Sequence, residues 1–327
     1  MLKDLCFEII QKCPNNCRFC SSMSTINSKS IISLDTFKRT IDKFISLGGI
    51  KEISLSGGEP FLHPQLLEMV EYCKSKKIKT VIYTSGIIRR KKLSKEEKTG
   101  LSPAELKIIN QIEENEYDHL DRLMLKRLKE IGLDKMVFDF QASEVDEYNY
   151  LMGTQNQYPH VLKSMLDTHF EGIESEIHFI PLKLNYKIFK EIVELAELSG
   201  VSRVSVLRFV PQGRGKDNVE ELMLLKNELQ EFRESAFNFN SSKVEIRMGI
   251  PMLDEDTHLC TAGYNKYDIR YDGVILPCPS FKDIDLKILE ENGIKVHNIY
   301  ENLDDLVINK GSRDTPLCKK IHFKKKD

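Results

Sequence analysis

The feature that most constrains this chain is an alternation of two hydrophobic periods over its first 210 residues. Short apolar runs at Leu5–Ile10, Glu52–Leu55, Lys79–Tyr83, Lys135–Phe140, Glu176–Ile180 and Arg203–Val210 read as strands. Between them, Leu34–Leu47, Pro64–Lys76, Asp121–Ile131 and Tyr186–Ser199 carry apolar residues at helical spacing. Strands separated by helices build a parallel sheet through right-handed crossovers. Six such units are too few for a closed eight-fold barrel. The expected fold is therefore α/β, an open, partial (β/α)6 barrel over residues 1–215.

An insertion at about 89–117 interrupts this rhythm. It opens with Arg89, Arg90, Lys91, Lys92, Lys95 and Lys98. It reads as a solvated loop with a short helix, or else as a lid or docking arm. Asn218–Phe239 reads as one long amphipathic helix, so residues 216–253 form a bridging helix and strand. From 254 to 327 the character changes. Tyr267–Tyr271 and Val274–Leu276 flank Asp272-Gly273, a hairpin signal, and a short helix at Leu303–Ile308 follows. This part reads as a small α+β extension, hairpin plus helix. The basic tail from Lys319 reads as a solvated end.

Composition excludes several classes. Hydrophobic residues are 41% and charged residues 30%, ordinary for a chain that buries a core. A net charge of −2 gives no whole-chain attraction to nucleic acid or anionic membrane. No run approaches the ~18 apolar residues of a membrane-spanning helix. No signal peptide is evident. The eight cysteines are clustered rather than disulfide-dense. Without an export signal, clustered cysteines read as metal ligands or catalytic thiols in a reducing cytoplasm. Cys6 and Cys73 stand alone and read as core thiols.

Cys13-Pro-Asn-Asn-Cys17-Arg-Phe-Cys20 follows the first strand. Structural zinc takes four protein ligands, and no fourth follows nearby. An iron–sulfur cube also takes four cysteines as a rule; three leave one iron open to a chelating ligand. Further on come Ser56-Gly57-Gly58-Glu59-Pro60, then Tyr83-Thr84-Ser85-Gly86, then Leu207-Arg208-Phe209-Val210-Pro211-Gln212-Gly213-Arg214. Each ends a strand. Together they resemble the radical S-adenosylmethionine (radical SAM) superfamily, over roughly residues 5–212.

That resemblance implies a set of roles. Cys13, Cys17 and Cys20 would hold a 4Fe-4S cluster with one open iron, beside Phe19. Gly57, Gly58, Glu59 and Pro60 would clamp the methionine end of SAM, with Glu59 accepting from its ammonium. Thr84, Ser85 and Arg208 would line the rest of the cofactor site. Where many relatives carry serine on the fourth strand, this chain has Asp139. It would contact SAM, take part in chemistry together with Arg208, or pair with Arg208 across the barrel. His178 on the fifth strand reads as a satisfied interior histidine.

Cys260, the hairpin, Cys278 and later Cys318 resemble a partial SPASM or "twitch" extension, which houses auxiliary iron–sulfur clusters. Three cysteines are too few for two clusters and allow one auxiliary 4Fe-4S cluster. Its fourth corner would be His322 or an open iron; the alternative is a degenerate extension without metal.

The resemblance implies reductive cleavage of SAM to a 5′-deoxyadenosyl radical and hydrogen abstraction from substrate. The partial extension points to a peptide or protein maturase forming cross-links, thioethers or epimers. Against this, the first strand leaves no room for an N-terminal peptide-recognition domain. The other enzyme reading is a radical dehydrogenase of a small molecule such as an aminocyclitol or sugar. The remaining alternative is a non-enzymatic iron–sulfur or zinc-binding regulatory module. Expected partners are a reductant such as flavodoxin or ferredoxin and a peptide or small-molecule substrate, with no nucleic acid and no membrane.

Overall fold

The computed structural model describes residues 2–90, 92–248, 259–308 and 311–322. Lys91, the expected boundary at 253–254, the His322 side chain and the tail beyond it lie outside the described residues.

In chain order the strands are β1 (Leu2–Ile10), β2 (Ile50–Gly57), β3 (Lys79–Thr84), β4 (Ile87–Arg89), β5 (Tyr117–His119), β6 (Lys135–Asp139), β7 (Glu174–Phe179), β8 (Arg203–Val206), β9 (Glu245–Met248), β10 (Lys266–Ile269), β11 (Val274–Leu276) and β12 (His297–Asn298). Ten of them form one sheet, in the order β12-β11-β10-β1-β2-β3-β6-β7-β8-β9. From β10 to β9 every neighbouring pair is parallel, and β11 and β12 are added antiparallel. Among the described residues β12 and β9 do not pair, so the barrel is open as expected. No described helix is long and apolar enough to cross a membrane.

Local chemistry explains the outer layer. The helix Leu34–Ser46 starts where the Ser33 hydroxyl accepts from the Thr36 backbone N–H, and it buries Phe37, Ile41 and Phe44. Each such burial stabilises by roughly 1.5–3 kcal/mol. Asp121 caps Arg122–Ile131 in the same way, and Gly132 ends that helix in the left-handed region at φ 91°. Beneath this layer β1 is buried along almost its whole length, as a central parallel strand must be. A second, smaller core joins Cys260, Ala262, Val274, Leu276, Phe281, Leu289 and Leu317, with Cys278, Cys318 and Ile321 packed against it.

Three sequence expectations need correction. The insertion is not a loop with one short helix. It carries two helices, Lys95–Lys98 and Pro103–Glu113, on the antiparallel ribbon β4–β5. Both helices open with a reciprocal serine–glutamate cap, Ser94 with Glu97 and Ser102 with Glu105. Asn218–Phe239 is not one helix either: it breaks into Val219–Leu222 and Lys226–Asn238. Leu222 and Leu224 are both buried, and residues two apart face opposite sides of a helix. The chain must therefore extend there to bury both. At Leu303 only a single 3-10 turn, Leu303–Asp305, forms.

Candidate active site

The parallel arrangement gathers the C-terminal ends of β1, β2, β3 and β6 at one rim. Register sets Ile10 beside Gly57, Thr84 beside Phe138, and Asp139 beside His178. The Cys13–Cys20 loop continues from β1 and is zipped to the end of β2. Gly58 N–H donates to Ile10 O at 2.7 Å and Glu59 N–H to Lys12 O at 2.8 Å. Only glycine fits there. A Cβ on Gly57 would stand 2.0 Å from Ile10 O, and one on Gly58 2.2 Å from Lys12 O.

The loop is held from its other sides by groups that sequence reasoning did not assign. Asn16 N–H donates to Met152 O (3.0 Å) and Arg18 N–H to Leu151 O (2.9 Å), at the end of the helix Val145–Met152. Gly153 follows at φ 58°, where a Cβ would meet Asn16 O at 2.3 Å. Arg214 donates from Nε to Cys17 O and from Nη2 to Ser24 O, both at 2.8 Å. The Gly213-Arg214 step had been visible as part of a strand-end motif, without a role.

Cys13 and Cys17 are buried, and burial pushes both thiols well above their ordinary range, with Glu59 adding to the effect at Cys13 and Asp139 at Cys17. A buried thiol gives up its proton readily only to a coordinating metal. The spacing carries further information. Two sulfurs on one zinc at about 2.3 Å each are at most about 4.6 Å apart. Among the described residues, the only His/Cys/Asp/Glu group with its ligand atoms all within 4.8 Å of one another is Asp118–His119–His160. Neither three-cysteine set is that tight. The Asp118 group is a satisfied hydrogen-bonded cluster: Arg90 Nη1 lies 2.7 Å from Asp118 Oδ2, and His119 Nδ1 lies 2.6 Å from Oδ1. It pins β4–β5 to the helix Tyr158–Phe170, which carries His160.

Glu59 is where expected but faces inward. It is fully buried, and its oxygens accept from Phe61 N–H (3.1 Å), the Thr84 hydroxyl (2.7 Å), and the Ser85 N–H (2.7 Å) and hydroxyl (2.6 Å). A carboxylate offers about four lone-pair sites, so all are taken. The geometry therefore offers an incoming ammonium no free oxygen on Glu59, and the hydroxyls of Thr84 and Ser85 are committed to it as donors. Pro60 is buried at the start of a 3-10 turn, and Phe19 is buried against the main core.

Asp139 sits at the end of β6. Burial raises its carboxyl to about 6, countered by Gln141, whose Nε2 donates to it. The same Gln141 nitrogen donates to His178 O at 2.9 Å. The His178 ring meets Tyr83 edge-on with centroids 5.1 Å apart, and its Nε2 lies 3.4 Å from Glu176 Oε1. Glu176, below it, also takes Lys135 and Ser205 at 2.5 Å each. Arg208 lies just past β8 and acts electrostatically on Cys318: burial raises that thiol, and Cys278 and Cys260 raise it further, while Arg208 lowers it. Cys260 is fixed by paired backbone bonds with Arg313 (2.8 and 2.7 Å).

Comparison with known proteins follows the same outline. The family model described as Radical SAM superfamily matches residues 7–225. The PqqA peptide cyclase of Gluconobacter oxydans is 21% identical over 83% of this chain and 68% of its own. The probable GTP 3′,8-cyclase of Sulfurisphaera tokodaii is 24% identical over 88% of this chain and 85% of its own. The solved structure of Streptococcus suis SuiB bound to S-adenosylmethionine superposes with a TM-score of 0.64 at 17% identity, over 92% of this chain and 64% of SuiB. The chain thus spans about two thirds of the length of the peptide cyclase and of SuiB.

Proposed function

The chain belongs to the radical SAM superfamily, and from that premise we propose that it matures a peptide or protein side chain by cross-linking, thioether formation or epimerisation. It is an enzyme, and its superfamily uses a 4Fe-4S cluster and S-adenosylmethionine. When bound, these supply a 5′-deoxyadenosyl radical that takes hydrogen from an unactivated carbon.

In this reading Cys13, Cys17 and Cys20 hold the cluster. Gly57 and Gly58 let the chain approach closely, and Glu59 orders the Thr84–Ser85 turn around the ligand. Asp139 and His178 face the interior where substrate meets the radical. Cys260, Cys278 and Cys318 hold an auxiliary cluster, with Arg208 offsetting its negative charge. The observation that carries the proposal is the likeness to SuiB over 92% of this chain. A solved structure of SuiB bound to precursor peptide SuiA, with a TM-score of 0.63, and the PqqA peptide cyclases support a peptide substrate. The reductant would be a flavodoxin or ferredoxin in a reducing cytoplasm.

One observation favours a small-molecule substrate instead: the match to the probable GTP 3′,8-cyclase runs over 85% of that protein. The test uses anaerobically reconstituted, reduced protein. It should cleave SAM to 5′-deoxyadenosine, and replacing Cys13, Cys17 and Cys20 by alanine should abolish this. Short peptides encoded beside the gene should then lose two hydrogens on cross-link or thioether formation, or take up solvent deuterium in heavy water on epimerisation. Cleavage that is stimulated by a nucleotide or sugar, and by no peptide, would move the assignment to the small-molecule reading.

A further inference from the structure

Glu8 is fully buried on β1, five positions before Cys13, and it is held by a residue from the far end of the chain. Lys282 lies four positions after Cys278 in the C-terminal unit. Its ammonium stands 2.6 Å from Glu8 Oε1, with its side chain only 10% exposed. The same oxygen accepts from the Ser22 hydroxyl at 2.5 Å. Ser22 is two residues past Cys20. The second Glu8 oxygen accepts from Tyr271 N–H at 3.3 Å, in the turn of the C-terminal hairpin. One carboxylate thus joins both ends of the chain to the loop proposed to hold the SAM-binding cluster.

A second set of contacts runs in parallel. Gly213 N–H donates to Asp283 Oδ2 at 3.0 Å, and Asp283 N–H to Gln212 Oε1 at 3.2 Å. The next residue, Arg214, donates its backbone N–H to Cys20 O (3.1 Å) and its side chain to Cys17 O. Lys282 and Asp283 therefore reach the Cys13–Cys20 loop by two indirect routes, one through Glu8 and Ser22 and one through Gly213 and Arg214. Lys282 itself is fixed: Arg270 Nη1 donates to its carbonyl at 2.6 Å.

Energetics decide what that grip does. Exposed ion pairs contribute little, but removing one partner of a buried pair leaves a charge that must move, protonate or draw in water. Asp268, also fully buried beside this pair, has both carboxylate oxygens without a hydrogen-bond partner. Lys282 is a cation shared by Glu8 and Asp268. Without it Glu8 must move, protonate or draw in water, and each of these changes what its Oε1 offers the Ser22 hydroxyl.

We propose that Lys282 is a positioning residue for the Cys13–Cys20 loop, acting through the Glu8 carboxylate and Ser22. The proposal rests on the reading that this loop carries the SAM-binding cluster. It makes the C-terminal unit part of the radical-generating site, because the same stretch that begins with Cys278 sets the loop.

The test compares reconstituted full-length wild type with Lys282→Met, Lys282→Arg and Ser22→Ala. Two quantities are read: the SAM dissociation constant, and the SAM-induced change in the electron paramagnetic resonance spectrum of the reduced protein. Lys282→Met should weaken SAM binding by roughly 2- to 30-fold, the range for changes that alter coupling between sites. It should also alter the SAM-induced spectral change at wild-type iron content. Lys282→Arg should restore both. Ser22→Ala keeps the ion pair and cuts only its link to the loop; it should reproduce the loss, and it decides the matter if Lys282→Met does not fold. Wild-type affinity and spectrum in Ser22→Ala, or in a folded Lys282→Met, would overturn the proposal even if thermal stability falls. If wild type itself neither binds nor cleaves SAM, the functional reading fails instead.

Discussion

The Glu59 carboxylate accepts from both the backbone N–H and the hydroxyl of Ser85, at 2.7 and 2.6 Å, so the ends of β2 and β3 are locked by one buried side chain. Glu59→Gln keeps the shape but points an amide nitrogen at donors. Unpaired buried donors cost about 1–3 kcal/mol each. The variant should lose stability of that order in denaturant unfolding of the cluster-free protein. Unchanged stability with weakened SAM binding would mean that the carboxylate turns outward to the ligand after all.

Gly58→Ala places a methyl group 2.2 Å from Lys12 O and 2.3 Å from Gln11 O, both backbone atoms that cannot swing aside. Overpacking of this kind costs typically about 1–3 kcal/mol, occasionally more, and the chain that must yield is the lead into Cys13. Iron per chain after reconstitution should therefore fall well below wild type. Normal iron loading in Gly58→Ala would show that the loop forms independently of β2.

His63 gives a pH dependence with a definite sign. Its Nε2 lies 2.9 Å from Ile32 O and its Nδ1 accepts from Gln65 N–H at 3.0 Å, so the ring is neutral with its proton on Nε2. Burial depresses its pKa, countered by the Ile32 carbonyl. The folded state thus binds fewer protons than the unfolded one, and stability is present above the unfolded pKa of about 6.5 and lost as pH falls below it. Thermal unfolding at about pH 7.5 and pH 5.5 should show a larger loss for wild type than for His63→Asn. Equal losses would refute the assignment of the ring's proton.

The three C-terminal cysteines share a small apolar core, so their site should form without the first. A variant lacking Cys13, Cys17 and Cys20 should keep iron equivalent to one cluster per chain. Complete loss of iron would reduce the C-terminal unit to a packing module.

Much of this was legible in the sequence because it is local. The Cys13–Cys20 spacing, the Gly57-Gly58 step and the Asp272-Gly273 turn each lie within a few residues, and the two hydrophobic periods mark the six core strands. The direction of Glu59 was not legible, since it depends on donors some 26 residues away across a parallel pair. Glu8 and Lys282 are 274 positions apart and meet only because β10 adds beside β1. Two errors were local. The Ser-x-x-Glu caps at Ser94 and Ser102 announce both helices of the insertion, and the buried pair Leu222 and Leu224 marks a break where helical spacing had suggested continuity.

The β4–β5 ribbon has a consequence for the history and engineering of the fold. Arg89 faces Tyr117 in register, so the chain leaves the barrel and returns at adjoining points. The helix Pro103–Glu113 between them has no buried residue. Everything beyond the ribbon is thus a graft on a closed seam: a tight turn can replace it, or a foreign module can be spliced in, while each strand of the main sheet keeps its neighbours.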